Sequence, residues 1–350
     1  MASVLLIGGA GFIGSHLARA LHRRGYEIMV IDNLTYYTAP LDHVSASIIE
    51  TRLSGLRQIA GVIRGDASQS IFVRRVLESY RPTHLVHLAG VPLLSFANAH
   101  LEDAYQSMVG STMAVLQAAQ GLTWLERLVY ISSSTVYGDF QYAPVDEDHP
   151  LCPKDVYGGA KLAGEVLVQS FSRRFGLPVV VVRPSAVYGP TDVNQRVSQV
   201  LVQNALLGRP LVLNDPSTAL DFTSVFDVAD GLALAVSHPS APGQVINVTR
   251  GEGRTLLEFT QILRRWIPGL RVEVQVADPL VPRRGALDIT RASGLLGYRP
   301  RYSLEEGLAH YVRCMAEHQF PGIDVSRIPS VAPEEPLSAD RLPLLQALKG

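Results

Sequence analysis

Cysteine is nearly absent from this chain: Cys152 and Cys314 are the two in 350 residues, far apart and without a C-x-x-C spacing. That argues against a disulfide framework or a thiolate zinc site and leads us to expect a reducing, cytoplasmic compartment. Lysine is almost as scarce. Three of the thirty-one basic residues are lysine, so the other twenty-eight are arginine. An excess of charge is missing too, since thirty-two acidic residues leave a formal net charge of −1. The electrostatic footprint expected for nucleic acid or an anionic membrane surface is therefore lacking. No uncharged apolar run reaches the roughly eighteen residues that a membrane span needs. The N-terminus runs into Val4-Leu5-Leu6-Ile7 and then glycines, without the basic segment and cleavage pattern of a signal peptide. The ten histidines show no H-E-x-x-H or comparable spacing, so no metal is expected, and His84 and His87 read as histidines of a buried strand. What remains is a soluble globular chain, 47% hydrophobic and long enough to bury a large core.

Its first half alternates β-branched apolar runs with stretches of helical period. We expect strands at Ser3–Ile7, Glu27–Ile31, Val62–Arg64, His84–Leu88, Arg127–Ser132 and Val179–Arg183. Helices are expected over Ile13–Arg24, Ile71–Ser79, Ala104–Ala119 and Tyr157–Phe175. Nearly continuous hydrophobic strands separated by helices indicate an α/β fold, a doubly wound (Rossmann) and mostly parallel sheet covered on both faces. After Pro184 turn-rich pieces mix with helices such as Ser198–Leu207 and Leu256–Trp266, as in a smaller, discontinuous α/β lobe on the substrate side. The expected division is 1–183 plus about 222–248 for the nucleotide-binding domain and 184–221 plus about 249–320 for the substrate lobe. Residues 321–350 then form a proline-rich, partly ordered tail.

Strand Ser3–Ile7 leads into Gly8-Gly9-Ala10-Gly11-Phe12-Ile13-Gly14, a G-x-x-G-x-x-G turn opening a helix. Glycines there let backbone approach a pyrophosphate, and the helix N-terminus supplies unpaired N–H groups and about half a positive charge. The second strand ends at Ile31-Asp32, eighteen residues past Gly14. A carboxylate there accepts hydrogen bonds from an adenosine ribose and repels a 2′-phosphate. No arginine follows in Asn33-Leu34-Thr35, so NAD is favoured over NADP. Gly65-Asp66 after the third strand either reaches the adenine edge or caps its loop.

Tyr157 and Lys161 lie four residues apart in a chain with thirteen tyrosines and three lysines. Chance would place such a pair about 0.1 times. On a helix the two share a face, about 5–6 Å apart at Cβ. A lysine ammonium there would draw the phenol down from about 10 toward neutrality and make Tyr157 a candidate general acid/base. Gly159, Ala160, Ala163 and Gly164 in the same helix suggest close packing. Asp146-Glu147-Asp148 reads as a solvated acidic turn.

Together these segments resemble the extended short-chain dehydrogenase/reductase family, in its nucleotide-sugar epimerase/dehydratase branch, over roughly residues 3–315. The likeness rests on Gly8–Gly14, Ile31–Leu34, His87-Leu88-Ala89-Gly90, Ser132-Ser133-Ser134-Thr135-Val136-Tyr137-Gly138, Tyr157 with Lys161, and Arg183-Pro184. It continues through Val187-Tyr188-Gly189-Pro190, Asp221-Phe222, Asn247-Val248 and Leu296-Gly297-Tyr298-x-Pro300. It implies that Ser133 (Ser132 or Ser134 failing that) hydrogen-bonds the reacting oxygen. Tyr157 then moves its proton, and Lys161 holds the cofactor ribose. For NAD it implies Gly8, Gly11, Phe12, Ile13, Gly14, Asp32, Asn33, Asp66, Ala67, Leu88, Ala89, Gly90 and Pro184. For a nucleotide-diphosphate sugar it implies Ser134, Thr135, Ala186, Val187, Arg209, Leu220 and Arg283, and it implies a homodimer packed through the Tyr157 helix and its neighbour.

Several positions depart from the family pattern. Met108 and Ala186 stand where asparagine is frequent, Leu220 where an arginine usually precedes Asp-Phe, and Ala286 where an aspartate usually follows the glycine. Dehydratases and decarboxylases of this branch carry acids just after the catalytic serine or threonine, whereas Ser134 and Thr135 cannot act as acids near neutral pH. The expected function is an NAD-dependent epimerase, most often acting at C4, which oxidises a sugar carbinol transiently to a keto-sugar. An NDP-4-keto-6-deoxysugar ketoreductase is the alternative, and a non-catalytic NAD-sensing module a more remote one.

Overall fold

The computed structural model describes residues 2–37, 42–276, 281–320 and 324–331. Its centre is a seven-stranded, fully parallel sheet. We label its first six strands β1 (Ser3–Ile7), β2 (Glu27–Asp32), β3 (Gly61–Arg64), β4 (His84–His87), β5 (Arg127–Ile131) and β6 (Val179–Arg183). The spatial order is 3-2-1-4-5-6, with Val245–Asn247 added beside β6. Order reverses between β1 and β4, and in such sheets a ligand crevice opens at that point, beyond the carboxyl ends of the strands.

Alternation along β1 shows how the sheet is covered. Val4 and Leu6 pack with helix Phe12–Arg23 and helix Val225–Ser237 on one face. Leu5 and Ile7 pack on the other, with helices Ser70–Tyr80, Ser111–Ala119 and Val156–Phe175. All four side chains are fully buried, as expected for a strand in a sheet with two covered faces. The expected doubly wound fold is found, with strand ends displaced by one residue at most.

A third apolar cluster lies outside the sheet, built from helices Val197–Leu206, Leu256–Trp266 and Leu304–Gln319 with Leu211, Leu213 and Phe222. The chain leaves the sheet after Arg183, contributes Val197–Leu213 to this cluster, then returns through Val225–Ser237 to Val245–Asn247. Leu256–Trp266 and Leu304–Gln319 each start with a capping box, Thr255 with Glu258 and Ser303 with Glu306.

Two elements differ from the sequence reading. The helix expected over 104–119 begins at Leu101 and passes through a π-helical turn, Tyr105–Gly110, before Ser111–Ala119. Helix His43–Arg57 was not anticipated, because its buried face is short (Ile48, Ile49, Leu56) and includes an arginine, Arg52. Of the expected tail, Ile328 is buried and Arg313 donates to the carbonyls of Val325, Ile328 and Pro329. Residues 332–350 lie outside the described residues. No described helix is long and apolar enough to cross a membrane.

Candidate active site

A cleft of about 630 Å³ opens at the β1/β4 switch point, between the sheet and the outer apolar cluster. Its floor is the glycine turn. Gly8 has φ +81°, and a Cβ on it would lie 2.6 Å from the Ala89 backbone nitrogen. A Cβ on Gly14 would lie 2.6 Å from the Gly9 Cα. Only glycine permits this backbone contact. Helix Phe12–Arg23 has no side-chain cap at Gly11, so its first N–H groups face the cleft without a side-chain acceptor.

At the end of β2 the Asp32 carboxylate accepts from Ala10 N (3.0 Å) and Leu34 N (2.8 Å). Burial pushes its pKa up, while those two donors and the Arg52 guanidinium pull it down. Asp66 caps its own loop through Ser68 N at 2.8 Å and also lines the cleft. Gly8, Gly11, Phe12, Ile13, Gly14, Asp32, Asn33, Asp66, Ala67, Leu88, Ala89, Gly90 and Pro184 all line this one space.

Deeper in, three segments converge. Tyr157 stands in the first turn of helix Val156–Phe175, which Asp155 caps by accepting from Gly158 N at 2.7 Å. Lys161 lies one turn on, buried, with Nζ donating to the Ile131 carbonyl at the end of β5 at 2.9 Å. Two residues after Ile131, Ser133 faces the Tyr157 phenol and helps to hold its pKa down. It also accepts from Thr135 N (3.2 Å) and Thr135 Oγ1 (3.0 Å). The neighbouring serines are occupied elsewhere: Ser132 Oγ donates to Glu165 Oε1 at 2.5 Å and Ser134 Oγ to Ser185 Oγ at 3.0 Å.

The expected effect of Lys161 on the phenol is not found. Burial raises the pKa of Tyr157, and the forces opposing it are the Arg196 guanidinium, the Ser133 hydroxyl and the Arg284 guanidinium. Lys161 is directed past the phenol, with Nζ 6.0 Å from the Tyr157 ring centroid. Burial also lowers Lys161 itself to about 8, against the pull of Glu165.

Ser134, Thr135, Ala186, Val187 and Leu220 line the same cleft. Arg209 and Arg283 do not: both are exposed and stand away from its wall. The cause at Arg283 is how its backbone is tied. Its N–H donates to Asp139 Oδ1 (2.8 Å) and its carbonyl accepts from Phe140 N (2.9 Å), which turns the side chain outward and its neighbour Arg284 inward.

Besides Arg284, the sequence reading missed Arg196 and Arg52. Arg196 precedes helix Val197–Leu206, pairs with Asp192 at 2.9 Å and lies over the Phe12 ring. Arg52 comes from the unanticipated helix, donates to the Thr191 carbonyl at 2.9 Å and stands beside Asp32 and Tyr36. Nothing local marks either one; both reach the cleft through long-range packing. The Asp146–Asp148 turn also differs from expectation. Glu147 is buried, accepts from Asn247 N at 2.8 Å and faces Arg291 at 3.4 Å.

Residues 4–249 match the model of the NAD dependent epimerase/dehydratase family. The chain belongs to that family. Among its relatives, an uncharacterized UDP-glucose epimerase of Bacillus subtilis, YtcB, is 27% identical, covering 88% of this chain and 96% of its own length. The crystal structure of a UDP-glucuronic acid 4-epimerase from Bacillus cereus, solved with UDP-glucuronic acid and NAD, superposes with a TM-score of 0.83. It is 27% identical and covers 90% of this chain and 99% of that one. The dTDP-glucose 4,6-dehydratase DesIV of Streptomyces venezuelae, solved with NAD and TYD bound, gives 0.81 at 27% identity, covering 90% and 97%.

The cofactor of this family is NAD, and the crevice fits it. The glycine cradle leaves room where any Cβ would collide, the helix start offers free N–H groups, and the Asp32 carboxylate stands where a ribose needs an acceptor.

Proposed function

We propose that the protein is an NAD-dependent epimerase of a nucleotide-activated sugar, acting at C4 through transient oxidation to a keto-sugar. Bound NAD supplies the hydride acceptor and donor. The chain's own residues handle the proton: Tyr157 accepts it from the sugar hydroxyl and returns it, Ser133 holds that oxygen by hydrogen bond, Arg196 and Arg284 favour the anionic phenol, and buried Lys161 would hold the cofactor ribose. The glycine turn and Asp32 hold the dinucleotide, with Asn33, Asp66, Ala67 and Leu88–Gly90 around its adenosine and nicotinamide ends. Ser134, Thr135, Ala186, Val187 and Leu220 form the sugar wall, and Arg196 and Arg284 replace Arg209 and Arg283 as its cations.

One observation carries the choice of epimerase over dehydratase. Among the described residues the acids lining the cleft are Asp32 and Asp66, both at the adenosine end, while Ser134 and Thr135 follow Ser133 and the nearby Asp155 is engaged in capping the Tyr157 helix through Oδ1. The relatives named as UDP-sugar epimerases support the same choice. The decisive test is to denature the purified protein and identify what it releases. Near-stoichiometric NAD is expected, because a redox-neutral cycle need never exchange its cofactor. An empty site with NADPH-dependent turnover of a 4-keto-sugar would instead make it a ketoreductase.

In this reading residues 1–183 with about 222–248 hold NAD, and 184–221 with about 249–320 hold the sugar nucleotide. The enzyme works in the cytoplasm as a homodimer. Leu101, Tyr105, Met113 and Val166 support the dimer, since they expose apolar side chains on the Tyr157 helix and the helices packed beside it. Sedimentation at micromolar concentration should give twice the chain mass.

A further inference from the structure

We infer that Arg284 reads a carboxylate on the sugar, so that the substrate is a nucleoside-diphosphate hexuronate rather than a neutral hexose. This rests on the reading just given and specifies its substrate.

The Arg284 side chain is held inward by its backbone. Around it, Arg283 N donates to Asp139 Oδ1, Phe140 N to Arg283 O, Val145 N to Ala286 O, Leu287 N to Asp221 Oδ2 and Asp288 N to Val145 O. A segment tied at so many points keeps its alternation of faces. Asp221 stands at the centre of this anchoring, accepting also from Arg250 N and Gly251 N.

The other cations of the cleft have partners. Lys161 donates to the Ile131 carbonyl, Arg52 to the Thr191 carbonyl, and Arg196 is paired with Asp192. Arg284 is different: among the described residues no nitrogen of its guanidinium has a hydrogen bond or ion pair, and its Nε is buried. Asp155 is the acid that faces it, but its Oδ1 caps the catalytic helix and its Oδ2 is likewise buried without a hydrogen bond, so the two groups do not join. A guanidinium left unmatched in a low-dielectric wall favours a planar anion that it can grip with two N–H groups.

Position on the sugar decides which anion. Arg284 and Tyr157 both line the cleft and interact electrostatically, and Asp155, the acid that Arg284 faces, stands two residues before Tyr157. With Tyr157 at the reacting C4, the adjacent C5 carries C6, whereas the diphosphate leaves from C1 on the opposite side of the ring. A cation beside the phenol therefore meets the C6 substituent. Leu220 and Ala186, apolar positions in the same wall, offer a neutral hydroxymethyl group no side-chain hydrogen bond.

Isothermal titration of the NAD-loaded protein with UDP-glucuronate, UDP-glucose and UDP tests this. The wild type is expected to bind UDP-glucuronate about 10- to 100-fold more tightly than UDP-glucose, the range of a charge-assisted pair. Arg284→Gln should erase that preference while costing UDP-glucose and UDP less than about threefold, and Arg284→Lys should restore part of it. A wild type without the preference overturns the inference, and that measurement needs no variant to fold. Equal losses for all three ligands in Arg284→Gln overturn it too, assigning Arg284 to the diphosphate. If folded wild type binds none of the three, the epimerase reading itself fails, and no Arg284 variant bears on that outcome.

Discussion

Replacing Arg183 with methionine would leave a carboxylate buried on helix Val156–Phe175 with its cation gone. Glu165 lies on that helix one turn beyond Lys161, and the side chains of Arg183 and Glu165 are 3% and 1% exposed. Their contact is bidentate, Nε to Oε1 at 2.9 Å and Nη2 to Oε2 at 2.6 Å, while Nη1 donates to the Tyr137 hydroxyl at 3.0 Å. Tyr137 passes the chain of bonds to Asn247 at 2.7 Å, so one network joins β5, β6, the Tyr157 helix and Val245–Asn247. Removing one partner of such a pair costs about 3–5 kcal/mol, because the remaining charge is uncompensated. For a chain of this length each kcal/mol lowers Tm by about 2 °C, so a loss of about 6–10 °C is expected. Urea unfolding followed by circular dichroism, with a thermal scan beside it, measures both quantities. The double variant Arg183→Met with Glu165→Leu removes the stranded charge and should recover most of the loss. A single variant within about 1 kcal/mol of wild type, or a double variant no more stable than the single, would refute the reasoning.

The site yields further expectations. Tyr157→Phe should keep NAD affinity within about threefold yet lose about 10²–10⁴ in turnover, as befits loss of a general acid/base; near-normal activity would reject Tyr157 in that role. Asp32→Ala should weaken NAD by roughly 10- to 100-fold while leaving NADP little affected, because the lost bonds go to the ribose and the lost repulsion concerns the 2′-phosphate. Unchanged NAD binding, measured by fluorescence titration, would remove Asp32 from the cofactor site. His16 and His87 are both lowered to about 3 by burial, with Arg19 adding to the first and Lys161 to the second. Their unfolded value is about 6.5, so between these limits the unfolded chain binds protons that the folded one refuses. Their contribution is complete above about pH 6.5 and is lost as pH falls toward 3, by up to about 1.4 kcal/mol per pH unit for each histidine. His87→Gln should flatten the fall of unfolding free energy between pH 6.5 and 5 by about that slope for one group, and an unaltered slope would count against it.

The sheet and its crossover helices were readable from local pattern, because alternation and apolar runs on a strand depend on neighbours within a few residues. The same holds for Gly8, Gly11 and Gly14, for Asp32 at the end of β2, and for Tyr157 and Lys161 one helical turn apart. Choices between adjacent residues were not readable in this way. Ser133 rather than Ser132 or Ser134 is left facing the phenol, because Glu165 and Ser185 take the other two hydroxyls. Arg284 rather than Arg283 enters the cleft because Asp139 and Phe140 tie the backbone of that segment. Helix His43–Arg57 brings Arg52 to Asp32, and Asn247 draws Glu147 inward, across 100 residues in the latter case.

The amino-acid order alone determined that this chain builds a dinucleotide crevice, with Tyr157 and Lys161 one helical turn apart on the helix beside it. Tertiary structure decided which cations surround that tyrosine, Arg196 and Arg284 rather than Lys161. Backbone periodicity is a property of short stretches. The inward or outward face of a single arginine depends on hydrogen bonds to segments far away in sequence, which exist only once the chain has folded.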